Sequence, residues 1–254
     1  NFTNNIPFDG VAIYCNDNTD LKKLLLESKK RNKISYGLNK DSDVRATNIL
    51  INEKGSFFDI NIKKTNLLKK ETINKIRLNV LGRHNIQNSL AAVTVAKILN
   101  INTNKIKQAF QKFKGVKRRF TLVCNFKGIK IIDDYAHHPE EIKATLELAR
   151  DLTSNKVIVI FQPHRYSRFK NLYNDFRKVL KNCDLLYVSD VYSAGEKKIK
   201  SITKEKFANE MNKIKKNYAY SLKNVNALPK IILNKAKKGD IVIFIGAGDI
   251  SKWV

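Results

Sequence analysis

The sequence predicts an α/β protein in two parts, and three observations lead there. Beyond about residue 116, short apolar runs alternate with helical periodicity: Val157-Ile158-Val159-Ile160-Phe161, Leu185-Leu186-Tyr187-Val188 and Ile241-Val242-Ile243-Phe244-Ile245 each lack a polar interruption. Unbroken runs of that length belong to strands buried on both faces, so the second part is expected to hold a mostly parallel sheet with helices on either side. The first part, up to about residue 115, is richer in β patterns and has fewer helices, which predicts a mixed sheet. Between them lies Lys114-Gly115-Val116-Lys117-Arg118-Arg119-Phe120, where Gly115 offers a hinge. The boundary is placed there, giving parts 1–115 and 116–254.

In the first part, 11–15 reads as a buried strand and 20 to about 30 as a helix, followed by strands at 35–37, 46–51 and 57–62. The last alternates Phe58, Ile60 and Ile62 with Asp59, Asn61 and Lys63, so one face should be wet. Asp41 and Asp43 read as turn residues rather than ligands. A strand is expected to end at Gly82, and a helix to run from about 85 to 99 with Ile86, Leu90, Val93 and Leu99 on its apolar face. Asn85 and Asn88, three apart, share one face of its first turn. A carboxamide offers both a donor and an acceptor, which the N6 and N7 edge of adenine requires. The bland alternative makes Asn85 an N-cap and Asn88 incidental. A short helix at 104–113 follows.

The second part opens with a hairpin, 120–126 and 129–133, turning at Lys127-Gly128. It delivers the stretch Ile131-Ile132-Asp133-Asp134-Tyr135-Ala136-His137-His138-Pro139-Glu140-Glu141, read as strand, loop and helix. Ligands of open α/β sheets bind at strand carboxyl ends, where helix N-termini point free N–H groups. Four ionisable side chains in such a loop exceed what capping needs, although capping remains the alternative. A helix at 139–152 leads to the strand 157–161, which ends in Gln162-Pro163-His164-Arg165-Tyr166-Ser167-Arg168. Two arginines three apart beside an imidazole suit a small carboxylate, because guanidinium groups make paired charge-assisted hydrogen bonds to it. One helix is expected from 167 to 180, then a strand at 185–188, the loop 190–196, a helix at 204–213, a short strand at 218–220, a helix before Gly239 and the strand 241–245. Its exit, Gly246-Ala247-Gly248-Asp249, carries only a lone G-x-G, a weak phosphate signal. A final helix is expected to start where the sequence stops, near Trp253-Val254.

A net charge of +26 over 254 residues would ordinarily raise nucleic-acid binding. The lysines are spread evenly, and neither a zinc finger nor an RNA-binding aromatic signature is present, so no nucleic-acid partner is expected; attraction for anionic small molecules such as nucleotides remains. No apolar run reaches membrane-spanning length and the start lacks a basic-then-apolar signal, so a cytoplasmic protein without membrane contact is expected. Cys15, Cys124 and Cys183 form no C-x-x-C pair, and suggest neither disulfides nor a zinc site. Without an initiator Met, the sequence is expected to be a fragment.

Six stretches in order resemble the Mur ligases: Gly82-Arg83-His84-Asn85 with Asn88, 115–120, 133–139, 161–168, 190–196 and 246–249. Pro7-Phe8-Asp9-Gly10 is also similar to a family turn, with Asp9 in place of an aromatic. Within the family, 162–168 is similar to the branch that uses L-alanine; the ligase that attaches a recycled tripeptide shares the Asn pair and the Asp-Asp-aromatic-Ala-His-His-Pro signature but lacks that stretch. The resemblance implies that 1–115 is the latter part of a central ATP-binding domain and 116–254 a Rossmann-like C-terminal domain. It implies an ATP-dependent ligase of peptidoglycan synthesis, and so of cell shape and division. The lactyl carboxylate of UDP-N-acetylmuramate would become an acyl phosphate, which the L-alanine amine attacks. His84, Asn85, Asn88, Asp134 and Arg119 would hold the nucleotide, with the Asn pair at adenine, Asp134 at the ribose and Arg119 reaching the phosphates across a domain cleft. Tyr135, His137, His164, Arg165 and Arg168 would hold alanine. Arg119 and His137 would be catalytic, His137 taking the amine proton. Mg2+ is expected on residues upstream of this sequence, and none is assigned here. The sequence departs from the family in having no G-x-x-x-x-G-K-[ST] loop, so the chain is expected to be inactive alone. The rival class is a non-catalytic nucleotide-binding α/β module.

Overall fold

In the computed structural model, which describes residues 5–27, 32–52 and 54–254, the apolar runs become two separate sheets, one in each of the units Asn1–Gly115 and Val116–Val254. The first unit contains β1 (Ala12–Cys15), α1 (Thr19–Glu27), β2 (Lys33–Gly37), β3 (Val44–Asn52), β4 (Gly55–Ile62), β5 (Glu71–Leu78), α2 (Arg83–Ile98) and α3 (Thr103–Lys112). Its strands lie in chain order, β1 to β3 parallel and β3 to β5 antiparallel. The expected last turn of α1, at 28–30, lies outside the described residues.

Three expectations for this unit need correction. Of the run 11–15, only Ala12 is buried, because β1 is an outer strand of the described sheet and has a neighbour on one side only. β5 stops at Leu78 rather than at Gly82, whose φ of +101° is incompatible with extended backbone. Leu99 is 66% exposed, since it falls beyond the last turn of α2; Ile86, Leu90 and Val93 supply the buried face. The alternation along β4 is as expected, with Phe58, Ile60 and Ile62 buried and Asn61 exposed. The buried residues of α2 pack with those of β4 and β5 in one core.

The second unit contains β6 (Thr121–Phe126), β7 (Ile129–Asp134), α4 (Pro139–Leu152), β8 (Val157–Phe161), α5 (Tyr166–Asn171), α6 (Tyr173–Leu180), β9 (Leu185–Val188), α7 (Lys204–Ile214), β10 (Ala219–Ser221), α8 (Leu228–Lys235) and β11 (Ile241–Ile245), and closes with a 3₁₀ turn, Asp249–Lys252. Its sheet runs β10-β9-β8-β11-β7-β6, all parallel except the β6–β7 hairpin. Lys127 and Gly128 both have positive φ, +51° and +82°, the geometry that a two-residue hairpin favours. Every residue of β8 and β11 is buried. Val157, Val159 and Ile243 enter one core with α4 to α7, while Ile158, Ile160 and Val242 enter the opposite core with α8. Each such side chain contributes about 1.5–3 kcal/mol through burial.

The single helix expected at 167–180 is two helices. Leu172, at φ −107° and ψ 20°, breaks it, and Tyr173 then meets Phe207 edge-on while Phe169 and Phe176 pack on Phe161. The crossovers from β8 to β9 to β10 advance in one direction, and β11 returns to the other side of β8. This topology gathers the carboxyl ends of β7, β8, β9 and β11 on one edge.

Candidate active site

At the end of β7, Asp133 and Asp134 are 7% and 4% exposed. The Asp134 carboxylate accepts Ala136 N–H at 2.7 Å and Phe120 N–H at 2.8 Å. Burial raises its pKa, against the pull of those two amides. With one amide on each oxygen, Asp134 braces the loop that follows β7 against the residue after Arg119 and keeps further lone pairs for another donor. Burial also raises the pKa of Asp133, opposed by Arg118, whose Nε lies 3.3 Å from its carboxylate. Arg118 donates from Nη2 to the Gly246 carbonyl at 2.7 Å and from Nη1 to that of Gly248 at 3.4 Å, with its guanidinium 4.9 Å from the Tyr135 ring centre. One arginine thus ties the entry to β6 to the exits of β7 and β11. The Gly246 amide donates to Asp134 O at 3.0 Å, so the first amide of the lone G-x-G turn is bonded within the protein.

Arg119 differs from its neighbour. Its side chain is 44% exposed, 3.4 Å from Glu141 and 5.7 Å from the Tyr135 ring centre. An exposed pair of that length is worth about 0–1 kcal/mol, which leaves Arg119 free to turn toward an anion.

The neighbours of the two imidazoles differ in which ring nitrogen they call on to donate. His137 Nδ1 lies 2.9 Å from Tyr135 O and 3.4 Å from Glu141 Oε2. Both neighbours accept, so Nδ1 carries a hydrogen, and in the neutral ring Nε2 then holds the lone pair. Glu141 also accepts the backbone N–H groups of His137 and His138, which fixes the start of α4. Burial would raise the Glu141 pKa, but the His137 amide, the nearby His137 ring and Arg119 hold it below its usual value. Capping at this helix is therefore the work of Glu141.

His164 is the reverse. Arg168 Nη1 lies 3.1 Å from its Nδ1; guanidinium only donates, so Nδ1 accepts and Nε2 carries the hydrogen. Burial lowers the His164 pKa, and the positive charge of Arg168 and the neighbouring His137 and Arg165 lower it further. The His137 and His164 ring centres are 5.8 Å apart, and Tyr135 packs edge-on against His137 at 5.3 Å. Tyr192 stacks on His164 at 5.6 Å and 13°. The pair thus offers one ring acceptor and one ring donor on neighbouring imidazoles. Backbone lacing holds it: Arg165 N donates to Tyr192 O and Tyr192 N to Pro163 O, both at 2.8 Å. Arg165 is exposed and sits at φ +66°, a strained conformation of the kind found in ligand clamps. Behind it, Glu196 accepts Ser167 N–H and Oγ–H, bonds that hold its pKa below the usual value.

In the first unit, the N-cap of α2 is Gly82 and not Asn85. Asn85 lies in the first turn, half-buried, and donates from Nδ2 to Leu81 O at 2.7 Å. Asn88 is exposed one position short of a turn later, and His84 is partly buried. One donor of the Asn85 amide is thereby committed to the chain, and Asn88 retains an exposed carboxamide.

Sequence reasoning passed over Arg118 as an anchor, Glu141 as the partner of His137, and Tyr192 as the stacking partner of His164. Only the spacing of four between His137 and Glu141 on a helix start could have flagged one of them. Among the described residues no cluster of three or more His, Cys, Asp or Glu side chains is arranged to hold a metal ion. Among the described residues no helix is long and apolar enough to cross a membrane.

Comparison with known proteins gives this edge a context. The model of the Mur ligase glutamate ligase domain matches residues 118–248, and that of the Mur ligase middle domain matches 1–96. UDP-N-acetylmuramate–L-alanine ligases of Rickettsia bellii and Rickettsia felis are 43% and 42% identical over 99% of the chain, and the alignment covers 54% of each. The chain spans about half the length of the curated relatives it matches. Among solved structures, UDP-N-acetylmuramate-alanine ligase from Thermotoga maritima superposes with a TM-score of 0.68 at 26% identity, covering 87% of this chain and 46% of that one. A pseudomurein peptide ligase from Methanothermus fervidus shares the fold, at a TM-score of 0.69 and 19% identity over 95% of this chain and 55% of its own. With both units matched and identity above 40% along nearly its full length, the chain belongs to the Mur ligase family.

Proposed function

We propose that the chain is the amino-acid-receiving half of an ATP-dependent ligase that joins L-alanine to the lactyl carboxylate of UDP-N-acetylmuramate in the cytoplasm, for peptidoglycan synthesis. In this reading residues 1–115 are the latter part of a central ATP-binding domain and 116–254 a Rossmann-like C-terminal domain. The observation that carries the chemistry is the pair of neighbouring imidazoles, one with Nδ1 against acceptors and the other with Nδ1 against a guanidinium, beside two arginines. A carboxylate is a poor electrophile with a poor leaving group; transfer of the γ-phosphoryl of ATP to its oxygen corrects both. The alanine amine then attacks the acyl carbon, phosphate departs with the C–O bond electrons, and the amine proton needs an acceptor. His137 Nε2 is that acceptor, with Tyr135 at the edge of its ring. The His164 Nε2–H, Arg165 and Arg168 bind the α-carboxylate, and two guanidiniums beside a neutral imidazole supply charge-assisted bonds. Arg119 contributes its positive charge to the phosphate being transferred. His84, Asn85 and Asn88 hold the base of ATP. Asp134 accepts from the ribose hydroxyls, and its amide bonds fix the loop that carries Tyr135 and His137. Magnesium accompanies phosphoryl transfer from ATP, and none of these side chains is assigned to it.

The test is phosphate release by the full-length gene product with ATP and UDP-N-acetylmuramate. Release that depends on L-alanine and exceeds that with glycine, serine or a tripeptide supports the reading. Release favouring the tripeptide, or none with any amine, rejects it.

A further inference from the structure

A cavity lies along the same carboxyl edge, on the far side of Tyr192 from the imidazole pair. It has a volume of about 320 Å³ and sits over the ends of β8, β9, β10 and β11, lined among others by Asp190, Tyr192, Asn224, Asp249 and Trp253. That volume is at the small end for ligand sites, room for one ring-sized molecule. Tyr192 is the partition: one ring face stacks on His164, and a Cβ added at Gly248 would lie 2.5 Å from its Cγ. Gly248 is thus required for the ring to stand there.

The lining defines the ligand class. Asp249 Oδ1 accepts the Gln162 amide at 2.7 Å, closing the switch point between β8 and β11, and Lys204 neutralises Asp190 at 2.7 Å. Asn224 uses its side-chain oxygen to accept Asn226 N–H at 2.9 Å, leaving its NH₂ as a donor. Two carboxylates and no arginine line the cavity, with Lys223 as the cation among the lining residues. An anion finds little to hold it there. Carboxylate acceptors, an amide donor and the apolar rings of Tyr192 and Trp253 match an uncharged ring bearing several hydroxyls, whose C–H face packs on aromatic surface while its hydroxyls bond the amide and acids. We infer that this cavity is a binding site for a neutral polyhydroxylated ring, separate from the amino-acid site and touching it only through Tyr192.

Trp253 is the one tryptophan of the chain, so its fluorescence reports on this cavity. Titration of the 254-residue chain with D-glucose as probe should give a saturable change in tryptophan emission, and equal concentrations of inorganic phosphate should give none. Asn224→Asp keeps the acceptor for Asn226 N–H but removes the donor, and should weaken glucose binding about tenfold, roughly one hydrogen bond, with an unchanged thermal melt. Asp249→Asn, which can still accept from Gln162, should weaken it similarly. A flat titration with glucose, a response to phosphate as strong as that to glucose, or unaltered affinity in both variants would overturn the inference.

Discussion

At the scale of single residues, the chemistry turns on which atoms carry protons. His164 is kept neutral by partial burial and by the guanidinium on its Nδ1, so its folded pKa lies below that of an unfolded histidine. Its contribution to stability is therefore present above about pH 6.5 and is lost as the pH falls through the lowered folded value. NMR titration of the ring carbons should give a midpoint for His164 below the ordinary histidine value, and Arg168→Ala should move it upward; a midpoint indifferent to Arg168 would remove the guanidinium as its cause. Much of this was legible in the sequence as candidates: two histidines and two arginines in loops that follow apolar runs. What was not legible is who binds whom. Arg118 and Arg119 are adjacent and chemically identical, yet one is tied to Asp133 and two glycine carbonyls while the other stays exposed. That difference follows from backbone turns at Arg118 and Phe120, both at positive φ, which residue type does not announce. Asp134 likewise reads as a ligand in sequence, and its second role as a brace was not legible: its carboxylate is met by amides fourteen residues before it and two after.

At the scale of elements, uninterrupted apolar runs gave β8, β9 and β11, whose positions between other strands and under helices call for apolar residues on both faces. Breaks were harder to see. The end of β5 and the interruption at Leu172 arise from packing, with Tyr173 and Phe207 meeting across helices far apart in sequence. The starts of β8 and β11 are held by a buried acid: Asp240, 3% exposed, accepts Lys156 N–H at 3.0 Å and Lys237 N–H at 2.8 Å. Asp240→Ala leaves two amides without their acceptor and should lower stability by about 1–3 kcal/mol. Urea denaturation of the chain checks this, and a midpoint equal to that of the unsubstituted chain would show that the acid is dispensable.

At the scale of the whole molecule, each unit has its own sheet, and among the described residues one buried core lies in the first unit and two in the second, with none shared. Adenine recognition is assigned to the first unit and amino-acid recognition to the second, so the two functions should fail separately. The most direct measurement is steady-state phosphate release by the full-length gene product, with the KM for ATP and for L-alanine determined in parallel for Asn88→Ala and Arg168→Ala. Arg168→Ala should raise the alanine KM by about 10- to 100-fold, the loss of one charge-assisted hydrogen bond, and leave the ATP KM nearly unchanged, while Asn88→Ala should do the reverse. If both substitutions shift both constants alike, or if Arg168→Ala leaves the alanine KM where it was, the assignment of the imidazole and arginine cluster to the amino acid is wrong.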